Sequence, residues 1–132
     1  MSSQILALLE NQENARQVQA CLEVSGHEVT VVDTFVIAQS VLRAQKFDLI
    51  ISDVHLENGG NVFDFLRWAN RNEKTSGIQF VLFSSKPSPM AKYLADGVRT
   101  TARILGAVKY IEMEEFDATE FQRHINELLL RG

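Results

Sequence analysis

The sequence is poor in the residues that cross-link a chain or carry it into a membrane. It contains one cysteine, Cys21, which excludes an internal disulfide and favours a reducing compartment. Cys21 falls in a helical pattern, so we expect it to fill space in the core. No apolar run approaches the ~20 residues of a membrane helix, and the N-terminus has no basic segment followed by a long apolar core. These absences favour a cytoplasmic protein.

An excess of positive charge is also missing. The formal net charge is −4, so we expect no general attraction to nucleic acid or anionic lipid. Repeats, low-complexity tracts and linkers are absent from the sequence as well. A length of 132 residues with 45% hydrophobic and 23% charged residues fits one globular domain, residues 1–132.

Short apolar runs alternate with helical patterns along the whole chain. Strands are predicted over 5–9, 29–32, 49–52, 78–83 and 108–113. Helices are predicted over 11–24, 34–45, 62–70, 89–105 and 117–130, with Gly97 as a candidate break in the fourth and a capping box, Asp117 to Glu120, opening the fifth. This alternation predicts an α/β fold with a parallel sheet, doubly wound as a three-layer sandwich.

Polar residues follow several of the predicted strands. Glu10 follows the first strand, Asp53 the third and Ser84 the fourth. The carboxyl ends of parallel strands share one edge, where such sheets bind ligands. Two carboxylates at this edge would suit Mg²⁺, and the Ser84 hydroxyl could hydrogen-bond a bound anion. The alternative for Asp53 is a carboxylate that caps the turn after its strand.

Several segments, in this order and spacing, resemble the response-regulator receiver domains of two-component signalling. The matching segments are "SGHEV", "FDLIISDVHL", "VFDFLR", "VLFSS" and "LGAVKYI". The resemblance spans nearly the whole sequence. It implies a flavodoxin-like, five-stranded sheet with the strand order 2-1-3-4-5.

The resemblance also implies roles for individual residues. Asp53 matches the phosphoacceptor aspartate, and Ser84 matches the hydroxyl residue that binds a phosphoryl oxygen. Glu10 matches an acidic ligand of Mg²⁺, which Asp53 and the backbone carbonyl of His55 would also hold. Tyr110 matches the aromatic residue whose rotamer switches on activation.

The sequence departs from the family pattern at positions that matter for this chemistry. Leu9 replaces the first acidic metal ligand, so Mg²⁺ binding is expected to be weak. Met113 replaces the lysine after the fifth strand, and Glu114 replaces the proline after it. Lys86 and Lys109 are two candidates to supply the missing cation. These departures mark an atypical, degenerate member.

As a receiver, the chain would be a signalling module and not an enzyme. Its partners would be a histidine kinase or phosphotransfer protein and a downstream protein. The downstream protein would bind the face formed by the fourth helix, fifth strand and fifth helix. The sequence leaves open whether the chain forms a homodimer. The alternative is a pseudo-receiver that docks proteins without phosphorylation. A flavin carrier of similar fold is disfavoured, because no phosphate-cradling loop follows the first strand.

Overall fold

The computed structural model describes residues 2–54 and 61–131, in which strands and helices alternate as the sequence predicts. The elements are β1 (Gln4–Leu8), α1 (Gln12–Val24), β2 (Glu28–Val32), α2 (Phe35–Ala44), β3 (Leu49–Asp53), α3 (Val62–Arg71), β4 (Gln79–Ser85), α4 (Pro89–Ile104), β5 (Lys109–Met113) and α5 (Ala118–Arg131). All ten predicted elements are confirmed in type and order. Their ends differ from the predicted ones by at most two residues, and the largest consequence is that Ser84 and Ser85 belong to β4 instead of following it.

The described strands form one parallel sheet in the order β2-β1-β3-β4-β5. This confirms the flavodoxin-like order. Every residue of the central strand β3 is buried, which accounts for its nearly continuous apolar sequence. None of the described helices has the length and apolarity needed to cross a bilayer.

Two apolar clusters cover the two faces of the sheet and complete the three predicted layers. One cluster joins the sheet to α1 and α5, with Leu22 and Phe121 among its fully buried members. The other joins the sheet to α2, α3 and α4, centred on Phe65 and Phe80, whose rings meet edge to face at 5.3 Å. Because successive side chains of a strand point to opposite faces of the sheet, each strand contributes residues to both apolar clusters.

Polar side chains cap the first turns of several helices. Asn11, Thr34 and Ser88 each accept a hydrogen bond from a backbone N–H in the first turn of α1, α2 and α4. Asp117 accepts one from the backbone of Glu120 at 3.0 Å, as the capping pattern predicts. These caps fix the directions in which the helices leave the carboxyl edge of the sheet.

The predicted break at Gly97 is wrong, because α4 runs through it without interruption. A glycine in a helix costs only about 1 kcal/mol. The buried stripe of Ala91, Ala95 and Ala102 offsets that cost by packing α4 on the sheet. The helix ends at Ile104, and Gly106 closes it: its φ of 110° lets the N–H groups of Gly106 and Ala107 turn back onto the carbonyls of Arg103 and Ala102.

The burial of two residues away from the carboxyl edge of the sheet can be compared with what the sequence suggests. Cys21 is buried, as predicted. His27, which lies after the glycine that ends α1 and reads as a surface or boundary residue, is instead buried, with 8% of its surface exposed. Its ring accepts a hydrogen bond from the backbone of Ser3 and contacts Asn126 at 3.0 Å, so it joins the N-terminus to α5.

Candidate functional site

A cleft of about 510 Å³ opens at the carboxyl ends of β1, β3 and β4. It brings together the three polar residues that the sequence places at this edge, Glu10, Asp53 and Ser84. The other described residues that line it are Asn11, Asn14, Val54, Phe83, Ser85, Lys86, Pro87, Ser88 and Ala91. The cleft therefore lies at the position where doubly wound sheets bind their ligands.

Asp53 is the last residue of β3 and is 9% exposed. Its Oδ2 accepts a hydrogen bond of 2.9 Å from the backbone N–H of Glu10, which fixes the orientation of the carboxylate. Burial raises the pKa of Asp53 to about 6; the Glu10 hydrogen bond opposes this rise and the negative charge of Glu10 adds to it. The ionised form of Asp53 is therefore disfavoured in the cleft, and a bound cation would stabilise it.

Glu10 and Asp53 are the acidic residues that line the cleft in the described part of the chain. Within residues 2–54 and 61–131 no group of three or more His, Cys, Asp or Glu side chains gathers as a metal site. Leu9 explains the shortage, since it is 1% exposed and packs into the core instead of offering an oxygen. Two carboxylates beside open solvent still fit Mg²⁺, which keeps several waters. The predicted His55 carbonyl lies outside the described residues.

Ser84 and Tyr110, the predicted hydroxyl and switch residues, are in contact. Ser84 is buried near the end of β4, and its hydroxyl lies close enough to the Tyr110 phenol on β5 to lower the pKa of that phenol. The guanidinium carbon of Arg99 lies 4.8 Å from the centre of the Tyr110 ring. Burial raises the pKa of Tyr110 despite the opposing effects of Ser84 and Arg99. The cleft is therefore connected to the surface of α4 and β5 by one polar contact.

No protein-family model and no curated protein sequence matches the chain. Solved structures do match it. The chemotaxis response regulator CheY4 of Vibrio cholerae gives a TM-score of 0.81 at 18% identity, covering 97% of this chain and 99% of that one. The receiver domain of a Pseudomonas aeruginosa sensor histidine kinase, described with a magnesium ion in its active-site cleft, gives 0.79 at 20% identity, covering 98% of each chain. The receiver domain of a Syntrophus aciditrophicus histidine kinase gives 0.78 at 21%, covering 97% and 90%.

The chain has the receiver-domain fold. Identities this low establish the fold, and the chemistry has to be argued from the residues in the cleft. In the receiver fold of this chain, Met113 ends β5 as a buried side chain of the core, so it offers no charge. Its backbone carbonyl accepts a hydrogen bond of 2.8 Å from the N–H of Lys86.

The two lysines that the sequence leaves as candidates lie in different places. Lys86 lines the cleft, whereas Lys109 is absent from its described lining. Lys109 begins β5 and Met113 ends it, so about 13 Å of strand separates Lys109 from the carboxyl edge. This separation disfavours Lys109 as the source of the missing cation.

Some residues of this receiver fold were missed in the sequence. Asn14 lines the cleft and donates its backbone N–H to the capping side chain of Asn11, a spacing of three that could have indicated it. Glu114, at the position of the family proline, forms an ion pair with Lys92 of α4. Nothing in the local sequence pairs these two residues, because the contact depends on how α4 packs beside β5.

Proposed function

We propose that the chain is a receiver domain that accepts a phosphoryl group on Asp53. The observation that carries this proposal is the buried, oriented Asp53 carboxylate in an open polar cleft, with Glu10 beside it and the Ser84–Tyr110 pair close by. A structural cap would need neither the cleft nor the second carboxylate.

The donor would be a phosphohistidine on a histidine kinase or phosphotransfer protein. An oxygen of the Asp53 carboxylate forms the new bond to phosphorus as the bond from phosphorus to the histidine nitrogen breaks, and that nitrogen takes a proton from water. The hydrogen bond from Glu10 holds the carboxylate in position for this in-line attack. Glu10 and Asp53 would hold Mg²⁺, which when bound neutralises charge on the phosphoryl oxygens.

The signal would leave through Ser84 and Tyr110. A phosphoryl oxygen would draw the Ser84 hydroxyl toward Asp53, and this removes the favourable effect of that hydroxyl on the Tyr110 phenol. Tyr110 also packs against Arg99, so its movement changes the surface of α4, β5 and α5 where a downstream protein would bind. In this function the chain is a cytoplasmic signalling module: phosphorylation of Asp53 is its input, and the changed surface of α4, β5 and α5 is its output.

A pseudo-receiver that docks proteins without phosphorylation is the second candidate. Leu9 and Met113 favour it, because both are packed in the core at positions where the family resemblance implies a metal ligand and a cation. This candidate needs the surface of the fold but no reaction at Asp53.

Incubation with acetyl phosphate and millimolar Mg²⁺ separates the two candidates. We expect intact-mass spectrometry to detect one added phosphoryl group in the wild type and none in Asp53→Asn. The Asp48→Asn variant is the matched control, because Asp48 is an exposed carboxylate on the same β3 approach. If the wild type stays unmodified at every Mg²⁺ concentration while remaining folded, the pseudo-receiver is the better account.

A further inference from the structure

The charge in the cleft is unbalanced for phosphoryl chemistry. Two carboxylates, Glu10 and Asp53, line it, and a phosphoryl group would bring roughly two further negative charges. Phosphoryl transfer depends on fixed positive charge near the equatorial oxygens. A site with a reduced set of metal ligands therefore has a stronger need for a cation from the protein.

Lys86 is the one cationic residue among the described residues that line the cleft. Two other lysines near this region are either in an ion pair or far from the cleft. Lys92 of α4 is paired with Glu114, and Lys109 lies at the far end of β5. Met113 presents a buried thioether side chain where the family resemblance implies an ammonium group.

The backbone of Lys86 is held in an unusual conformation. Its φ is +48°, in the left-handed region, which costs a non-glycine residue of the order of 1 kcal/mol. Two constraints hold it there. The Lys86 N–H is bound to the Met113 carbonyl at 2.8 Å, and the chain must enter α4 within two residues, through Pro87 and the capping Ser88. Strain of this kind is found at functional positions, where the surrounding structure imposes it.

We infer that Lys86 is a catalytic residue whose ammonium group contacts the phosphoryl oxygens during transfer to Asp53 and in the phosphorylated product. This inference rests on the proposed function and goes beyond it, since it moves the cation from β5 to the loop between β4 and α4. With acetyl phosphate, an Asp53 oxygen bonds to phosphorus, the bond from phosphorus to the acetyl oxygen breaks, and acetate leaves with the electron pair. Lys86 stays protonated throughout and acts by charge alone.

This placement also gives the phosphoryl group a second connection to the fold. Lys86 is two residues from Ser88, which caps α4 by accepting a hydrogen bond from the N–H of Ala91 at 3.1 Å. An ammonium group drawn toward Asp53 pulls on the segment that begins α4. The loop that supplies the cation is thus also the loop that positions the helix.

The test measures the initial rate of phosphorylation by acetyl phosphate at fixed millimolar Mg²⁺, using intact-mass spectrometry on the full chain. We expect Lys86→Met to lower the rate about ten- to a hundredfold, by analogy with the loss of one preorganised charge-stabilising group. Lys86→Arg keeps the charge and should stay within a few fold of the wild type. Lys109→Met, the matched lysine outside the cleft, should match the wild type.

Lys86→Gly separates the charge from the backbone strain. Glycine accepts a positive φ at no steric cost, so this variant should be at least as stable as the wild type and yet react as slowly as Lys86→Met. Wild-type rates in Lys86→Met and Lys86→Gly would overturn the role of Lys86 while leaving phosphorylation of Asp53 intact. A wild-type chain that takes up no phosphoryl group would overturn the proposed function itself.

Discussion

Burying the ionised Asp53 carboxylate lowers the stability of the folded protein. The carboxylate is 9% exposed and stands beside Glu10, and its pKa rises to about 6 from an ordinary value near 3.8. The folded protein therefore binds this proton more tightly than the unfolded chain does. Stability from this group is complete below about pH 4 and is lost as the pH rises through about 6.

Replacing Asp53 with asparagine should consequently stabilise the fold at neutral pH. In Mg²⁺-free buffer at pH 7.5, we expect Asp53→Asn to raise the free energy of unfolding by on the order of 2 kcal/mol, because the amide keeps an oxygen for the Glu10 N–H and carries no charge. Urea denaturation at pH 4 and at pH 7.5 checks this. The gain should shrink toward zero at pH 4, and an equal gain at both values would contradict the ionisation argument.

The effect of Ser84 on Tyr110 should be visible in the titration of the phenol. In a Tyr93→Phe background Tyr110 is the only tyrosine, and we expect its absorbance near 295 nm to report a pKa above the usual value of about 10. Burial is the main cause of this rise.

Removing the Ser84 hydroxyl should then raise the pKa of Tyr110 further, because that hydroxyl favours the phenolate. Ser84→Ala in the same Tyr93→Phe background supplies the comparison. Ser85→Ala is the matched control, since the Ser85 hydroxyl is buried and has no hydrogen-bond partner among the described residues. A lower pKa for Tyr110 in Ser84→Ala would contradict the contact.

The sequence predicted which of these residues share the cleft, but it did not predict the burial or the contacts of others. Glu10, Asp53 and Ser84 could be brought together because a parallel sheet gathers its strand ends at one edge, whatever the side chains do. The choice between Lys86 and Lys109 could not be made, because it depends on one backbone dihedral and on the length of β5. The burial of His27 was missed because its partners lie at Ser3 and Asn126, far away in sequence.

At the scale of elements, the fold requires the glycine that follows α4, Gly106, and does not require the glycine within α4, Gly97. Gly106 ends the helix with φ at 110°, and a Cβ there would overlap the Asn70 side chain, which bonds the Leu105 carbonyl. Gly97 lies within the helix, and a Cβ there would meet no atom within 4 Å. The same substitution should therefore act in opposite directions at the two positions.

We expect Gly97→Ala to stabilise the protein by about 0.5–1 kcal/mol, since alanine is the better helix former. Gly106→Ala should destabilise it by roughly 1–3 kcal/mol, through the left-handed backbone and the displaced Asn70. Urea denaturation of the two variants, measured side by side, checks both signs. Stabilisation by Gly106→Ala would mean that the turn after α4 differs from the one described.

The element boundaries show why local sequence predicted the architecture well. Each cap has a partner within three residues, so the starts of α1, α2, α4 and α5 depend on local chemistry alone. The end of β4 does not, because its last residues are polar and are held in the strand by pairing with β5. Ser84 therefore belongs to the sheet, where it is paired with Glu112, two residues beyond Tyr110 on β5.

At the scale of the whole molecule, residues at the carboxyl ends of the strands can either line the cleft or pack into the core. Leu9 and Met113 add apolar volume to the cluster shared with α1 and α5, and both stand where the receiver pattern has charged groups. The fold gains buried apolar surface at these two positions, where the family resemblance implies a metal ligand and a cation.

Restoring a carboxylate at Leu9 should reverse this exchange. We expect Leu9→Asp to tighten Mg²⁺ binding about tenfold and to lower the stability of the metal-free protein, because the new charge would replace a core side chain. Thermal denaturation over a Mg²⁺ series measures both effects, since an ion that binds only the folded state adds about 1.4 kcal/mol at ten times its Kd.

The control for this experiment is Leu9→Asn, which has the same size and polarity without the charge. It should lose stability as Leu9→Asp does and show no tighter Mg²⁺ binding than the wild type. If both variants bind Mg²⁺ equally, the carboxylate at this position has no part in holding the ion.

The buried Cys21 makes the chain convenient for site-specific labelling. Its thiol is the only one in the sequence, its Sγ lies 3.3 Å from the Ala118 carbonyl, and burial raises its pKa, so little reactive thiolate is present at neutral pH. A cysteine introduced at the exposed Tyr93 on α4 would then react with a maleimide dye far faster than the native one. Fluorescence from that dye could follow α4 in real time without any change to the cleft.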